Sequence, residues 1–491
     1  MSNAIDKTRY LAGVQCLRRL YLLVHQPEFA TKTDAAGETI IEQGHEIGML
    51  ARRLFRGGIT VNEDDVDLAI RRTRELLADP NVSAIFEGTF RNGGVLVRVD
   101  ILHRRGDGRW RMIEVKSTTE VKDHHLEDVA IQYRVLSRSG VDLASACVAH
   151  VNRGYVYSGG DIDVWRFFRI RNVTRIVQSL QPKLTFQLRA EWTVLGMPTA
   201  PDLPHGRHCT DPITCEFYDR CNPQRPDDHI SCLPRLHANA IEELEQMGVE
   251  SIHDVPDDFE LTEILRRAAT CVQTGQPWFD REGLKKALGG LEHPLYFADF
   301  ETVNPAIPKF GGMKPYDQLP FQWSVHVVRE SGADPEHLEY VATDTRDTRR
   351  EFTSSLCRVL GDRGSIVVYS TFESQRLAEL ARWLPEYAER IDAIQVRLFD
   401  LLPVVREHTY HPAYTGSFSI KSVLPALVPE MTYEDMEVSN GRDAGLAWQA
   451  LVRGGLSQTQ HESIMKALLD YCGRDTSGLL RICEALNRSN E

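Results

Sequence analysis

Residues 95–116 read VLVRVDILHRRGDGRWRMIEVK. The first six alternate with period two: Val95, Val97 and Val99 fall on one face of a strand, and Leu96, Arg98 and Asp100 on the other. Arg105-Gly106-Asp107-Gly108 is a turn signal. The return run places Ile113 and Val115 on one face and Glu114 and Lys116 on the other. A hairpin register therefore can bring Asp100, Glu114 and Lys116 to one edge of a sheet. Two carboxylates there can hold a divalent cation, which activates water and polarises a phosphoryl oxygen. The lysine ammonium can orient a nucleophile or stabilise charge developing on a phosphate. Asp…Glu-x-Lys is by itself a common pattern, and a surface hairpin with a charged outer face reads the same way. The surroundings favour a site: a helix from about Leu126 to Arg138 follows, carrying Gln132 and Tyr133, and cysteines flank the whole stretch.

Working outward, residues 1 to about 80 read as mainly helical and residues 85 to 120 as strands with tight turns. Pro198 to Pro234 is rich in Pro, Cys, His and Asp, as expected of an irregular, ligand-tethered stretch. Within it, HCTDPITCEFYDRC sets Cys209, Cys215 and Cys221 with five residues between each and the next. Thiolates select iron–sulfur clusters or zinc. Zinc sites usually show pairs two to four residues apart, and a cubane cluster tolerates irregular spacing better. His205 and His208 are competing ligands nearby, each also readable as an ordinary loop histidine. Ile241, Leu244 and Met247 have helical spacing in a small connector over residues 235 to 290.

From Pro294 the pattern alternates strand and helix, an α/β signature. In PLYFADFET, Leu295, Phe297, Asp299 and Glu301 share a strand face. Two same-side carboxylates ending an apolar strand cost desolvation and repulsion unless a cation is bound. SIVVYSTFESQRLAEL reads as a buried strand and a helix starting near Glu373. In ALLDYCGRDTSGLLRICEAL, Tyr471 and Asp475 lie four apart and share a helix face. YTGSFSIKSVLPAL supplies Lys421 and several hydroxyls as phosphate contacts, or an ordinary loop entering a helix.

The composition is that of a soluble multidomain protein: 491 residues, 42% hydrophobic and 26% charged. A net charge of −13 argues against coating nucleic acid through a broad basic face, but not against a nuclease, whose metal-holding carboxylates are themselves acidic. No apolar run suggests a membrane span, and the first ten residues lack a secretory core, so a cytoplasmic location is the expectation. The 10 cysteines are then expected to be free or metal-bound rather than disulfide-paired.

VRVDIL, IEVKST and AIQY, in that order, make residues 1–225 resemble the RecB-like (PD-(D/E)XK) nucleases with an iron–sulfur cluster, including the CRISPR-associated exonucleases. The resemblance implies Asp100 and Glu114 as metal ligands, Lys116 as catalytic lysine, and Gln132 and Tyr133 on the supporting helix. It also implies Cys16, Cys209, Cys215 and Cys221 as ligands of a 4Fe-4S cluster, Cys16 coming from the N-terminal VQCLRRLYL. A further metal-ligating histidine usual in that family, four residues after a glycine, is missing here: Gly48 follows Gly44 at that spacing, and the position is open between His45, Glu87 and no ligand.

Residues 293–491 resemble the DEDD-type exonucleases, which have an RNase H-like fold. Asp299, Glu301, Glu373 and Asp475 would bind two divalent ions, Mg²⁺ or Mn²⁺, and Tyr471 would orient the attacking water. Glu373 stands where the family usually has Asp, and Asp400 in RLFDLL is an alternative ligand or a structural residue at a strand end. The order of parts resembles a bacterial family joining a RecB-like nuclease to a DEDD-like domain of unknown function. The expected architecture is thus a multidomain α/β chain: nuclease over 1–225, helical connector over 226–292, exonuclease over 293–491. The expected function is DNA end processing in repair or defence on strands with single-stranded ends. The alternatives are a nucleic-acid-binding protein with one or both sites silent, and an RNA-processing nuclease.

A cluster closing a loop of about 200 residues would contribute ~5 kcal/mol by analogy with disulfide loop entropy. Anaerobically purified protein is expected to be brown with about four irons per chain. Cys215→Ser or Cys221→Ser should remove the colour and lower the folded yield; stoichiometric zinc without iron would contradict the assignment.

Overall fold

The computed structural model describes residues 4–32, 35–222, 226, 228–434 and 436–488. The expected domain edge at residue 225 lies outside these. The chain is a mixed α/β protein of two compact units. Residues 1–223 and 305–317 form the first; residues 224–304 and 318–491 form the second. The connector therefore groups with the C-terminal unit, and residues 305–317 return to the first. Among the described residues, no helix is long and apolar enough to cross a membrane.

In the first unit, β1 (Ile5–Asp6) leads into α1 (Lys7–Gln15), capped by the Asp6 carboxylate accepting from the Arg9 N–H. There follow α2 (Leu17–His25), α3 (Ala35–Arg52), β2 (Ile59–Thr60), α4 (Val66–Ala78), β3 (Ala84–Asn92), β4 (Val95–Arg104), β5 (Trp110–Lys116) and α5 (Asp123–Arg138). Then come β6 (Leu143–Val151), α6 (Val164–Phe167), β7 (Phe168–Asn172), α7 (Thr174–Leu195) and α8 (Tyr218–Cys221). The sheet order is β2-β3-β4-β5-β6-β7, with β1 parallel to the start of β4. β3, β4 and β5 form an antiparallel meander, and β6 joins β5 in parallel after the α5 crossover.

Both faces of this sheet are covered. One core gathers Val95, Val97, Val99, Leu102 and Met112 with Val129 and Leu136 of α5. The other gathers Ile101, Ile113, Ala149 and Phe167 with Ile47 and Leu50 of α3. The alternation read from the sequence holds through Val99 and then slips: Leu102, not Ile101, rejoins the face of Val95. The cause is local. The β3–β4 ladder passes over Glu87 and Asp100, and Glu87 takes a positive φ of 58°, which a non-glycine residue adopts only where the surroundings hold it. The slip corrects the expectation that Asp100 simply shares a face with Leu96 and Arg98. Close packing of α1 on α7 depends on Gly13, where a Cβ would come within 2.5 Å of Glu191 Oε1.

The second unit begins with α9 (Ala238–Gln246), α10 (Glu263–Thr274), β8 (Trp278–Phe279) and α11 (Arg281–Leu288). Its main sheet is built from β9 (Leu295–Val303), β10 (Leu319–Val328), β11 (Glu336–Val341), β12 (Ile366–Val368) and β13 (Leu398–Asp400). Between β11 and β13 the chain forms α12 (Arg349–Leu360), α13 (Phe372–Trp383) and α14 (Ala388–Gln395). After β13 come α15 (Leu401–His408), β14 (Thr409–Tyr410), which pairs with β8, then α16 (Ile420–Leu427), α17 (Gly441–Arg453) and the 31-residue α18 (Gln458–Arg488). The strand order is β11-β10-β9-β12-β13; the first three are antiparallel, and β12 is parallel to both β9 and β13. The central strand β9 carries Asp299 and Glu301.

The excursion 305–317 completes the first unit's second core. Ala306 is buried there, with Ile307 and Tyr316 packed against it, and the Tyr316 hydroxyl donates to the carbonyl of Ser117, one residue past Lys116. A fragment ending near residue 225 lacks this segment. It should melt below the same unit in the full chain, and a peptide of residues 303–319 added in trans should raise its Tm; an identical Tm with and without the segment would show that it adds nothing.

Candidate functional site

Two clusters of buried carboxylates stand out, one in each unit. In the first, Asp100 interrupts β4 where the ladder breaks, and its Oδ2 accepts the Val115 N–H at 2.6 Å. Glu114 on β5 is almost wholly buried, with its side chain turned to α5. The Lys116 ammonium lies 2.8 Å from Glu114 Oε1 and 2.5 Å from Asp128 Oδ2. Lys7, at the start of α1, lies 2.7 Å from the same Glu114 oxygen and 3.5 Å from the same Asp128 oxygen. Gln132 Nε2 donates to Glu114 Oε2 and to Asp128 Oδ1, both at 2.8 Å.

The sequence reading found Asp100, Glu114, Lys116 and Gln132, and the structure brings all four together. It missed Lys7 and Asp128. Asp128 had a signal, since it stands four residues before Gln132 on one helix face; Lys7 had none. Tyr133 points elsewhere and accepts from Gln178. His45 is exposed, and Glu87 is engaged by Arg52 at 2.8 Å.

The electrostatics follow from burial. Burial and then the neighbouring Glu114 push Asp100 up to about 8. Burial would also raise Glu114, but the ammonium groups of Lys116 and Lys7 reverse this and hold it below the carboxylate range. Asp128 is raised by burial and then by Glu114.

In the second unit, carboxylate oxygens of Asp299, Glu301 and Asp475 lie within 4.8 Å of one another. Asp299 and Glu301 project from one face of β9, and α18 packs across β9 and β10 to deliver Asp475. α17 begins close by: a Cβ on Gly441 would sit 3.1 Å from Glu301 Oε2, so only glycine lets the helix start come this near without displacing the carboxylate. Burial and then Asp475 push both Asp299 and Glu301 well above the carboxylate range. Asp475 is raised by burial to about 6, against the Tyr433 hydroxyl, which donates to its Oδ1 at 2.5 Å, and against Lys421. The Lys421 ammonium lies 5.1 Å from the Tyr471 ring and 5.6 Å from that of Tyr433. Tyr433 is the residue the sequence did not reveal.

Glu373, in the first turn of α13, is buried and raised to about 8 by that burial, then by Asp400 and Asp475. It stands outside the 4.8 Å group, and its Oε2 is buried without a hydrogen-bond partner. Asp400 caps α15, accepting from the Leu402 N–H at 3.0 Å, as a structural residue at a strand end would. Three close carboxylates and a fourth with an orphaned oxygen form a donor set suited to hard divalent cations, with one lysine ammonium nearby.

The four cysteines of interest are all free thiols. Cys16 sits at the break between α1 and α2. Its neighbours tie down the downstream segment: Gln15 Nε2 donates to the carbonyls of His208 at 2.7 Å and Ile213 at 2.8 Å, and Arg19 pairs with Glu216 at 2.8 Å. Burial raises Cys221, and the thiols of Cys16 and Cys209 add to that; Cys215, pushed up to about 11 by burial, also feels Cys16. Among the described residues, no three of these sulfurs meet within 4.8 Å.

A family model described as Domain of unknown function (DUF2779) matches residues 296–419. That span takes in Asp299, Glu301, Glu373 and Asp400, and ends before Lys421, Tyr471 and Asp475. The chain is also similar to Uncharacterized protein UU173 of Ureaplasma parvum serovar 3, at 23% identity over 210 residues, which is 38% of this chain and 30% of that protein. The match thus spans under a third of the relative's length, and neither name carries an activity.

The carboxylates give a signed pH dependence. Glu373 rises from 4.5 to about 8, Asp475 from 3.8 to about 6 and Asp100 from 3.8 to about 8, so the folded chain keeps protons that the unfolded chain releases. Their stabilising effect is complete below the ordinary values and is lost as pH rises through each window, at about 1.4 kcal/mol per pH unit per group. The metal-free Tm should fall between about pH 5 and pH 8, and Mn²⁺ should flatten the fall. A metal-free Tm that is flat or rises over that range, in a calorimetric pH series, would contradict the assigned burial.

Proposed function

We propose that this chain is a metal-dependent nuclease with two sites that hydrolyse phosphodiester bonds at nucleic-acid ends, with DNA as the expected substrate. The observation that carries the reading is the buried group Asp299, Glu301 and Asp475, with the unpartnered Glu373 oxygen beside it. Such a concentration of carboxylates is unfavourable for a purely structural core. The five-stranded sheet, with its acidic strand at the centre, supports an RNase H-like reading of the second unit. The meander β3-β4-β5, the α5 crossover and parallel β6 support a RecB-like reading of the first.

Divalent ions bound at these carboxylates would neutralise them, polarise phosphoryl oxygens and make water a competent nucleophile. The chain's own groups do the rest. In the second unit, Tyr433 fixes Asp475, and Tyr471, also hydrogen-bonded to Asp475, would orient the attacking water. Lys421, set over both tyrosine rings, would offer an ammonium to the phosphate of the strand end. In the first unit, Lys116 stabilises charge developing on the phosphate, while Gln132 fixes Glu114 and Asp128. For the cysteines, a single zinc ion would hold sulfurs about 3.8 Å apart at a Zn–S length of 2.3 Å, whereas a 4Fe-4S cluster binds each sulfur to a different iron and spaces them more widely. The tethers from Gln15 and Arg19, which tie the Cys16 helix break to the segment carrying the other three cysteines, support the cluster reading, in a structural role.

The test is a digestion panel on the full chain, with single- and double-stranded DNA and RNA labelled at either end, in Mn²⁺ and Mg²⁺. Asp299→Asn and Asp475→Asn should each lower 3′-to-5′ trimming by at least about 100-fold, and Tyr471→Phe should slow it less. Glu114→Gln should remove a separate cleavage activity and leave the trimming intact. Protein that carries metal and cleaves none of these strands would leave a binding role alone.

A further inference from the structure

Two ammonium groups in the first unit converge on the same two oxygens. Lys116 Nζ lies 2.8 Å from Glu114 Oε1 and 2.5 Å from Asp128 Oδ2. Lys7 Nζ lies 2.7 Å from that Glu114 oxygen and 3.5 Å from that Asp128 oxygen. One lysine suffices for phosphate chemistry, so the second needs its own explanation. We propose that Lys7 is a built-in cation of the first site, which holds Glu114 when divalent metal is absent and must release Glu114 Oε1 for metal to enter. The proposal rests on the reading of Asp100 and Glu114 as that site's metal ligands.

The argument is geometric. A divalent cation on Glu114 needs an oxygen at about 2.0–2.6 Å, along directions that the Lys7 and Lys116 ammonium groups already crowd. Lys7 is the group able to leave. It grips one oxygen closely and the other loosely, whereas Lys116 grips both. Its side chain is 29% exposed against 21% for Lys116, so its long stem has a path to solvent.

Its backbone, by contrast, is fixed. β1 pairs Ile5 with Val95 and Asp6 with Leu96, and the Asp6 cap locks the first turn of α1. The side chain can therefore swing without the main chain moving. Charge points the same way. Asp100, Glu114 and Asp128 carry three negative charges at most against two lysines, so a divalent ion added with Lys7 in place over-neutralises the cluster, and withdrawal of Lys7 restores the balance.

The experiment measures metal and lysine rather than cleavage, so its failure is distinct from failure of the nuclease reading. In full-length protein with the second site silenced by Asp299→Asn and Asp475→Asn, Mn²⁺ affinity is read by electron paramagnetic resonance of the free ion. Lys7→Met, which keeps the stem and removes the charge, should bind Mn²⁺ about tenfold more tightly or better. Lys7→Arg should stay near the parent. Equal or weaker binding by Lys7→Met, or no Mn²⁺ bound by either protein, overturns the proposal. A second measurement needs no variant at position 7: acetylation of Lys7, followed by peptide mass spectrometry, should be slow without metal and several-fold faster with Mn²⁺. A rate that Mn²⁺ leaves unchanged or lowers overturns it equally.

Discussion

Carboxylates taken out of water repel one another and lose hydration, and each unit of this protein is arranged around how that cost is met. The first unit meets it internally. Lys7 and Lys116 neutralise Glu114 and Asp128, Gln132 fills a further lone pair on each, and the remaining acid, Asp100, is left to hold a proton to about pH 8. The second unit meets it only in part. Lys421 acts on Asp299, Glu301 and Asp475, yet all three stay raised. One cluster is close to balanced as folded, while the other stays acidic until protons or cations arrive.

The local half of this was legible in the sequence. Alternation in a strand fixes which residues share a face, so Asp299 with Glu301, and Glu114 with Lys116, could be paired from spacing alone. Helical periodicity likewise placed Asp475 beside Tyr471. What spacing could not supply was partners from distant elements. Lys7 is 107 residues from Glu114, and Tyr433 is 42 from Asp475. Nor could it supply the slip at Asp100, which depends on the backbone of Glu87 on the neighbouring strand. Asp400 and Glu373 are separable only in three dimensions, one satisfied as a helix cap and the other left with a bare oxygen.

Helix α1 concentrates much of the first unit's organisation in nine residues, about 14 Å of helix. Lys7 at its start reaches the carboxylates, and Cys16 at its end stands beside the downstream thiols. Between them the Tyr10 hydroxyl donates to Glu127 of α5 at 3.2 Å, and Gly13 admits Glu191 of α7. One short helix thus touches both the cysteine segment, through Gln15, and the acidic cluster, through Lys7.

The placement of residues 305–317 bears on how the chain is made. A ribosome releases the two units in sequence order, yet the first lacks Ala306 and Tyr316 until the leading strand of the second unit's sheet, β9, has already emerged. At ~5–20 residues per second, the roughly eighty residues between the main body and this segment take about 4–16 s to synthesise. Through that interval the nascent first unit exposes an apolar patch beside the Ser117 carbonyl, so its final closure is timed by translation of its neighbour rather than by its own folding rate.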